Sequence, residues 1–186
     1  MLNLGQTFPN FTASSTIGVL VSLVTGVRTR FPHRQPALTS VHGSSLPQNL
    51  FDYLGSSWGM LVSHPADFTP VCTTELARLA QLAKPLEERN VKTVCLSVDS
   101  LPDHESWVGD IKQVSGCQVP FPLVADEKGD IAASLGLLDA AVDKRVTVRG
   151  VFILDPEKKI KVIVLDSLSP AVDLNLVSFS LSLSRC

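Results

Sequence analysis

The chain has 186 residues, of which 45% are hydrophobic and 18% are charged, and its formal net charge is −2. This length suits one domain with a sizeable core. The near balance of charges argues against a nucleic acid or an anionic membrane as a partner, because both require a strongly basic surface. The start, MLNLGQTFPNF, lacks the basic and apolar regions of a signal peptide, so we expect no leader there.

The cysteines are few and widely spaced: Cys72, Cys95, Cys117 and Cys186. No CxxC pair is present, so the spacing predicts neither a zinc site nor any other metal site. Four thiols in a chain of this length do not form the framework of a small disulfide-rich domain. We therefore expect free thiols in a reducing compartment, with the cytoplasm as the default location.

In chain order, residues 19–48 show no steady period of 2 or 3.6, which is unusual inside a compact domain. Gly59–Ser63 then reads as a short buried strand. A helical pattern begins near Cys72, and Pro85 predicts a kink or break in it. Val91–Ser100 is rich in β-branched residues and predicts a second strand. Strand, helix and strand with short links form a βαβ unit with parallel pairing.

A helix is predicted at about His104–Val114, and a shorter one at residues 129–138. Residues 145–154 predict a strand, and the turn DPEKK connects it to an antiparallel partner at residues 160–166. The fold class is therefore α/β, with a mixed sheet flanked by helices. The last residues, 166–186, alternate apolar residues with serine and do not resemble a folded module.

The thiol of Cys72 stands at the expected start of a helix. Thr69 has the character of an N-cap, and Pro70 suits the first helical position, where a missing N–H costs nothing. Cys72 then lies in the first turn, beside unpaired backbone N–H groups and the positive end of the helix dipole. Both favour a thiolate over a thiol. A buried structural cysteine is the alternative, because free cysteines are usually buried.

The same residues carry a family resemblance. The spacing Pro65-x-x-x-Thr69-x-x-Cys72 matches the active-site motif of the peroxiredoxins, and SHPADFTPVCTTEL resembles their 1-Cys class. Matching segments include GSSWGMLVSHP, SVDSLPDHESWVGDI, PFPLVADEKGDIAASLGLLD and VTVRGVFILDPEKKIKV. The resemblance covers Leu50 to about Leu165 and a short N-terminal piece, and it implies a thioredoxin-like fold.

The resemblance implies a role for each matching residue. Cys72 would be the peroxidatic nucleophile, which attacks the terminal peroxide oxygen and becomes a sulfenic acid. Thr69 would place its hydroxyl against sulfur and peroxide, and Pro65 would shield the sulfur from water. Arg149 would stabilise the thiolate and the charge on the leaving oxygen. His64 occupies the place of a family histidine near the sulfur, although a neutral core histidine is the competing interpretation.

The remaining cysteines favour a 1-Cys mechanism. We expect Cys95 to be buried and inert, Cys117 has no counterpart in the family, and Cys186 ends a tail unlike the family's. The resemblance then implies an external reductant, glutathione delivered by a glutathione transferase or another small thiol. It implies no bound cofactor. It also implies a homodimer, although the unusual tail leaves dimerisation open.

Members of this class also carry a phospholipase A2 site made of Ser, His and Asp. Ser57 matches the serine of this site, but Phe51 stands at the position of the histidine. Glu157 stands at the position of the aspartate, with Asp155 close by in the sequence. A serine without a base is not activated. We therefore predict little or no hydrolase activity.

These observations predict a peroxiredoxin domain over residues 1–165, interrupted by an insertion at about 19–48 and followed by a divergent tail at 166–186. The leading function is a thiol-dependent peroxidase acting on hydrogen peroxide and organic hydroperoxides. One alternative is a catalytically impaired splice or gene-model variant that acts, if at all, as an interaction protein. A disulfide oxidoreductase is a third interpretation, which the missing CxxC opposes, and lipid hydrolysis is a fourth.

Overall fold

The computed structural model describes residues 2–16, 18–20, 49–138 and 146–166. Most of the predicted insertion (21–48) and nearly all of the predicted tail (167–186), with Cys186, lie outside the described residues. The described residues form these elements: β1 (Ala13–Ser15), β2 (Gly18–Leu20), α1 (Leu50–Leu54), β3 (Trp58–Ser63), α2 (Pro70–Glu88), β4 (Val91–Ser97), α3 (Leu101–Ser115), β5 (Leu123–Ala125), α4 (Asp130–Leu135), β6 (Arg149–Leu154) and β7 (Ile160–Asp166).

The strands form one mixed sheet in the order β2-β1-β5-β4-β3-β6-β7. β3, β4 and β5 run parallel, and α2 and α3 connect them in sequence. β6 pairs antiparallel with β3, and β7 pairs antiparallel with β6. The predicted βαβ unit, the final antiparallel pair and the α/β class with a mixed sheet are confirmed.

Helix α2 differs from its prediction at one place. Pro85 lies inside the helix, which continues to Glu88. A break at this residue is therefore wrong, and a kink, the other predicted outcome, stays a prediction. The missing N–H of the proline removes one helical hydrogen bond, and the carbonyl groups of this last turn find donors other than the helix's own N–H groups. One example is the Pro85 carbonyl, which accepts a bond of 2.9 Å from the Arg89 guanidinium.

The core lies on both faces of the sheet, because successive side chains of a strand point to opposite sides. On β3, Met60 and Val62 pack with the buried faces of α2 and α3, including Trp107. Leu61 packs on the other face with Phe8 and Phe152. Described residues thus form a buried core on each face, and the carboxyl ends of β3 and β4 carry the loops that form the site. Among the described helices, none has the length and apolar character needed to cross a membrane.

We predict that Phe152→Ala lowers the free energy of unfolding by about 3–5 kcal/mol, because it leaves a cavity in a closed core. Phe152 is 1% exposed and contacts the ring of Phe8 edge-on, with centroids 5.4 Å apart. Urea denaturation followed by circular dichroism measures the loss. Val114→Ala, at an exposed position of α3, is the control and should change stability by less than about 0.5 kcal/mol. Equal losses in the two variants would contradict the assignment of the core.

Candidate active site

The thiol of Cys72 lies in the first turn of α2, as the sequence predicts. Thr69 is the N-cap with extended backbone, and Pro70 begins the helix. The Thr69 hydroxyl accepts a hydrogen bond of 3.4 Å from the Cys72 backbone N–H and donates one of 3.2 Å to the Ala66 carbonyl. One residue thus holds both the start of the helix and the loop before it. The predicted cap is confirmed.

Two further hydrogen bonds, which begin at a side chain of α3, hold the same turn. The indole N–H of the fully buried Trp107 donates to the Thr73 hydroxyl at 3.0 Å, and this hydroxyl donates to the Thr69 carbonyl at 2.8 Å. The two bonds tie the cap residue to a side chain on the neighbouring helix. The backbone around Cys72 is therefore held by more than its own helix.

Arg149 approaches Cys72 from the sheet. It is the first residue of β6, and the next residue, Gly150, pairs with Ser63 at the end of β3. The antiparallel register therefore places the guanidinium at the edge of the sheet where α2 begins. Its Nη1 lies 3.5 Å from the Cys72 sulfur, so the sequence-predicted neighbours are brought together.

The guanidinium is shared with Glu75, which sequence reasoning missed. Arg149 Nη1 also donates to the Glu75 carboxylate, and both side chains are mostly buried. Glu75 lies three residues after Cys72, on the same face of α2, so helical spacing was the available signal. The ion pair fixes the Arg149 head group, while its positive charge still faces the sulfur.

The sulfur is enclosed. Cys72 is 0% exposed, and Pro65 and Thr69 of the preceding loop are partly buried. Between them lies Phe68, half exposed, with a backbone φ of 58° that is uncommon for a bulky residue. A reactant must contact the sulfur to react with it, so the side chains that border the sulfur have to move to admit one.

Asp67, a residue of this loop, is hydrogen-bonded to two imidazoles. Its Oδ1 lies 2.8 Å from Nε2 of His64, and its Oδ2 lies 2.6 Å from Nδ1 of His104. His64 is buried, and its ring packs 5.1 Å from that of Trp107. The sequence predicts an auxiliary role for His64 at the sulfur, and that role stays a prediction. Asp67 and His104 were missed, because residues 37 apart give no local signal of contact.

Comparisons with known proteins identify the family to which the chain belongs. The family model described as the AhpC/TSA family matches residues 34–163, which is more than half of the chain. The chain belongs to the AhpC/TSA family. The match begins inside the predicted insertion, and the domain boundaries drawn from the sequence stay predictions.

Similar members of this family are peroxiredoxins. Peroxiredoxin-6 of Bos taurus is 44% identical over 172 residues, covering 88% of this chain and 64% of the relative. The 1-Cys peroxiredoxin of Dictyostelium discoideum is 45% identical over 113 residues, 61% of this chain and 47% of the relative. The chain thus spans less than two thirds of the length of these curated relatives. The resemblance to the 1-Cys class is confirmed.

A solved structure agrees with the fold. A cysteine-to-serine mutant of peroxiredoxin 6 from Arenicola marina superimposes with a TM-score of 0.79 at 34% identity. The superposition covers 100% of this chain and 74% of that one. The thioredoxin-like fold of the AhpC/TSA family, expected from the resemblance, is therefore confirmed.

The other described cysteines of this AhpC/TSA chain have different surroundings. Cys95 is fully buried in β4, and burial, with smaller contributions from the charges of Asp67 and Glu75, raises the pKa of its thiol far above the usual range. The expectation of a buried Cys95 is confirmed. Cys117 is exposed, and its thiol donates to the Ser115 carbonyl at 3.6 Å.

Ser57 is not part of the Cys72 site. It precedes β3, whereas the Cys72 loop follows that strand, and six strand residues separate the two by about 20 Å. Its buried hydroxyl donates to Oδ1 of Asn90 at 2.8 Å, and an amide oxygen is not a base. Asp155 accepts bonds from the backbone of Lys159 and from Lys161. Among the described residues, the side-chain partner of the Ser57 hydroxyl is thus an amide rather than a base, and little hydrolase activity stays a prediction.

His64, Asp67 and Asp99 bring ligand atoms within 4.8 Å of one another, as a metal site would. Hydrogen bonds already occupy the two carboxylates. The Asp67 carboxylate is hydrogen-bonded to both imidazoles. The Asp99 carboxylate accepts hydrogen bonds from the Ser97 hydroxyl at 2.6 Å and from the Asp67 N–H at 3.0 Å. We interpret the group as a hydrogen-bonded network that holds the loop.

We predict that Thr69→Ala lowers the free energy of unfolding by about 1 kcal/mol, because the first turn of α2 loses its cap. Thr69→Ser keeps the hydroxyl and should remain close to the wild type. Urea denaturation of the three proteins provides the comparison. If the serine variant lost as much stability as the alanine variant, the cap would not be the cause.

Proposed function

We propose that the protein is a thiol-dependent peroxidase that reduces hydrogen peroxide and organic hydroperoxides, with phospholipid hydroperoxides among the candidates. One observation carries the proposal: the Cys72 sulfur lies at a capped helix start, 3.5 Å from the Arg149 guanidinium. A helix N-terminus and a neighbouring cation both stabilise a thiolate, which is the nucleophilic form of cysteine.

The reaction follows from these charges. The Cys72 thiolate attacks the terminal oxygen of the hydroperoxide, and the O–O bond breaks. The leaving group is an alkoxide from an organic hydroperoxide or hydroxide from hydrogen peroxide, and it takes a proton to become an alcohol or water. Negative charge moves from sulfur to the leaving oxygen, so a fixed cation stabilises the transition state throughout. Arg149 is that cation, held by Glu75, and the Thr69 hydroxyl caps the helix start at which the sulfur lies. Cys72 ends as a sulfenic acid.

Reduction then requires two thiols. The first condenses with the sulfenic acid and releases water, and the second displaces Cys72 and forms a disulfide with the first. We propose glutathione as this thiol, with a glutathione transferase as the protein that could deliver it. A solved yeast mitochondrial 1-Cys peroxiredoxin, 32% identical with a TM-score of 0.79, is described as resolved via glutathione and thioredoxin systems, which supports a small thiol as reductant.

The wider setting is also a proposal. A homodimer is proposed from the family resemblance alone. A reducing compartment, with the cytoplasm as our choice, is supported by the free state of Cys72, Cys95 and Cys117. A non-catalytic interaction protein has less support than a peroxidase, because the nucleophile, the cap and the cation lie together.

We predict that Cys72→Ser abolishes peroxide consumption, because a serine hydroxyl at this place is not an effective nucleophile toward peroxide. Hydrogen peroxide loss in the presence of glutathione measures the activity, and mass spectrometry locates the oxidised residue. Cys117→Ser removes an exposed thiol and is the matched control, with activity expected within about twofold of the wild type. Unchanged consumption by Cys72→Ser would refute the proposed peroxidase.

We also predict that Arg149→Ala slows the oxidation of Cys72 by about 100-fold or more, because the transition state loses its cation. Arg149→Lys keeps a positive charge. A lysine ammonium lacks the planar, rigid guanidinium that contacts Glu75 and the sulfur at the same time. Its rate should lie between those of the wild type and the alanine variant. Stopped-flow mixing with hydrogen peroxide gives the three rates, and a normal rate for Arg149→Ala would contradict the assigned role.

A further inference from the structure

The buried network around Asp67 contains a group whose charge can be read from its hydrogen bonds. His104, on α3, is 0% exposed and uses both ring nitrogens. Its Nδ1 lies 2.6 Å from the Asp67 carboxylate, and its Nε2 lies 3.2 Å from the Val124 carbonyl on β5. Both partners are hydrogen-bond acceptors.

A carbonyl oxygen can only accept, so Nε2 must carry a hydrogen. The hydrogen between Nδ1 and Asp67 also belongs to the ring, since an imidazole is ordinarily a stronger base than a carboxylate. Asp67 receives a second bond from Nε2 of His64, which further favours its ionised form. With a hydrogen on each nitrogen, the ring of His104 is positively charged.

We propose that His104 is a buried imidazolium that acts as a positioning residue, holding Asp67 and thereby the loop from His64 to Thr69 that borders Cys72. For its consequence in catalysis, this inference rests on the proposed peroxidase function. The proposal assigns His104 no contact with substrate. It acts through Asp67, whose N–H is also bonded to Asp99, and through the cap residue two positions further on.

The surrounding charges agree with this assignment. Burial alone would lower the pKa of His104, but the hydrogen bond and the charge of Asp67, the Val124 carbonyl and the charge of Asp99 together raise it. Burial alone would raise the pKa of Asp67, but bonds from His104 and His64 and their charges hold it below its usual value. The titratable groups that face His104 are thus Asp67 on the loop, Asp99 before α3, and His64 after β3.

The pH range of the effect follows from the two shifts. A raised histidine pKa contributes stability that is fully present below the unfolded value of 6.5 and is lost as pH rises through the folded value. A lowered aspartate pKa contributes stability that is present above the unfolded value of 3.8 and is lost as pH falls through the folded value. The pair therefore stabilises the fold most between about pH 4 and 6.5.

The direct test is imidazole nitrogen NMR of the full chain, with His104→Gln used to assign the His104 signals. We expect hydrogens on both ring nitrogens at pH 6. A neutral ring at that pH would overturn the proposal. If the variant does not fold, correlations between the backbone and the ring in the wild type assign the same signals, so the test does not depend on the variant.

The second test compares melting temperatures of the wild type and His104→Gln from pH 4 to pH 9. We expect a gap that is widest between about pH 4 and 6.5 and narrows at higher pH. Glu105→Gln, an exposed charge change at the next position of α3, should show no such trend. A gap of constant size would mean that His104 only fills space, and would refute the proposed imidazolium.

The effect on the site is read by alkylation of Cys72 with iodoacetamide, followed by peptide mass spectrometry. At pH 6 we expect the alkylation rate of Cys72 in His104→Gln to differ from that in the wild type by about tenfold, because the loop bordering the sulfur loses one of its hydrogen-bonded contacts. The rate of the exposed Cys117 in the same sample should not change. An unchanged Cys72 rate would refute the positioning role. This readout needs no peroxidase activity, so a wild type that consumed no peroxide would refute the proposed function alone.

Discussion

The site depends on one contact, the approach of the Arg149 guanidinium to the Cys72 sulfur. The two residues are 77 positions apart, and the pairing of β3 with β6 brings them together. Because side chains alternate along a strand, a register shift of one residue would turn Arg149 to the opposite face of the sheet. Such a shift would also place the buried residues of β6 against the wrong core. The packing that stabilises the sheet therefore also fixes the position of the guanidinium.

The charges around the sulfur are arranged in pairs that satisfy one another. Arg149 is held by Glu75, and the buried carboxylate of Asp67 is held by two imidazoles. Buried charges are costly unless they are paired and hydrogen-bonded, and loss of one partner leaves the other uncompensated. These pairs hold the backbone and the charges on both sides of Cys72 in place, so that access to the sulfur depends on the uncharged side chains that border it.

The sequence predicted those features of the site that depend on neighbours along the chain. Thr69 and Pro70 mark a helix start through local backbone chemistry, and the order strand, helix, strand with a final antiparallel pair predicted the mixed sheet. Arg149 was assigned through the family resemblance, since a lone arginine on a strand does not indicate its partner. His104 could not be assigned, because its contact with Asp67 depends on how α3 packs against the loop. A helix break at Pro85, one of the two predicted outcomes, was wrong because packing of the buried face of α2, which includes Leu86 beyond the proline, outweighs the one helical bond that a proline removes.

Burial of the sulfur, taken alone, would favour a structural cysteine, and Cys95 shows what such a cysteine looks like. Cys95 and Cys72 are both 0% exposed, but Cys95 lies mid-strand in the core, where burial raises the pKa of its thiol. Cys72 lies at a helix start with a cation 3.5 Å away. Cysteine chemistry follows the charge environment as well as exposure, because the thiolate is the reactive species. A closed loop over such a sulfur restricts which molecules reach it and leaves its electrostatic environment unchanged. The burial of Cys72 is thus compatible with a reactive thiol, because movement of the side chains that border the sulfur is enough to expose it.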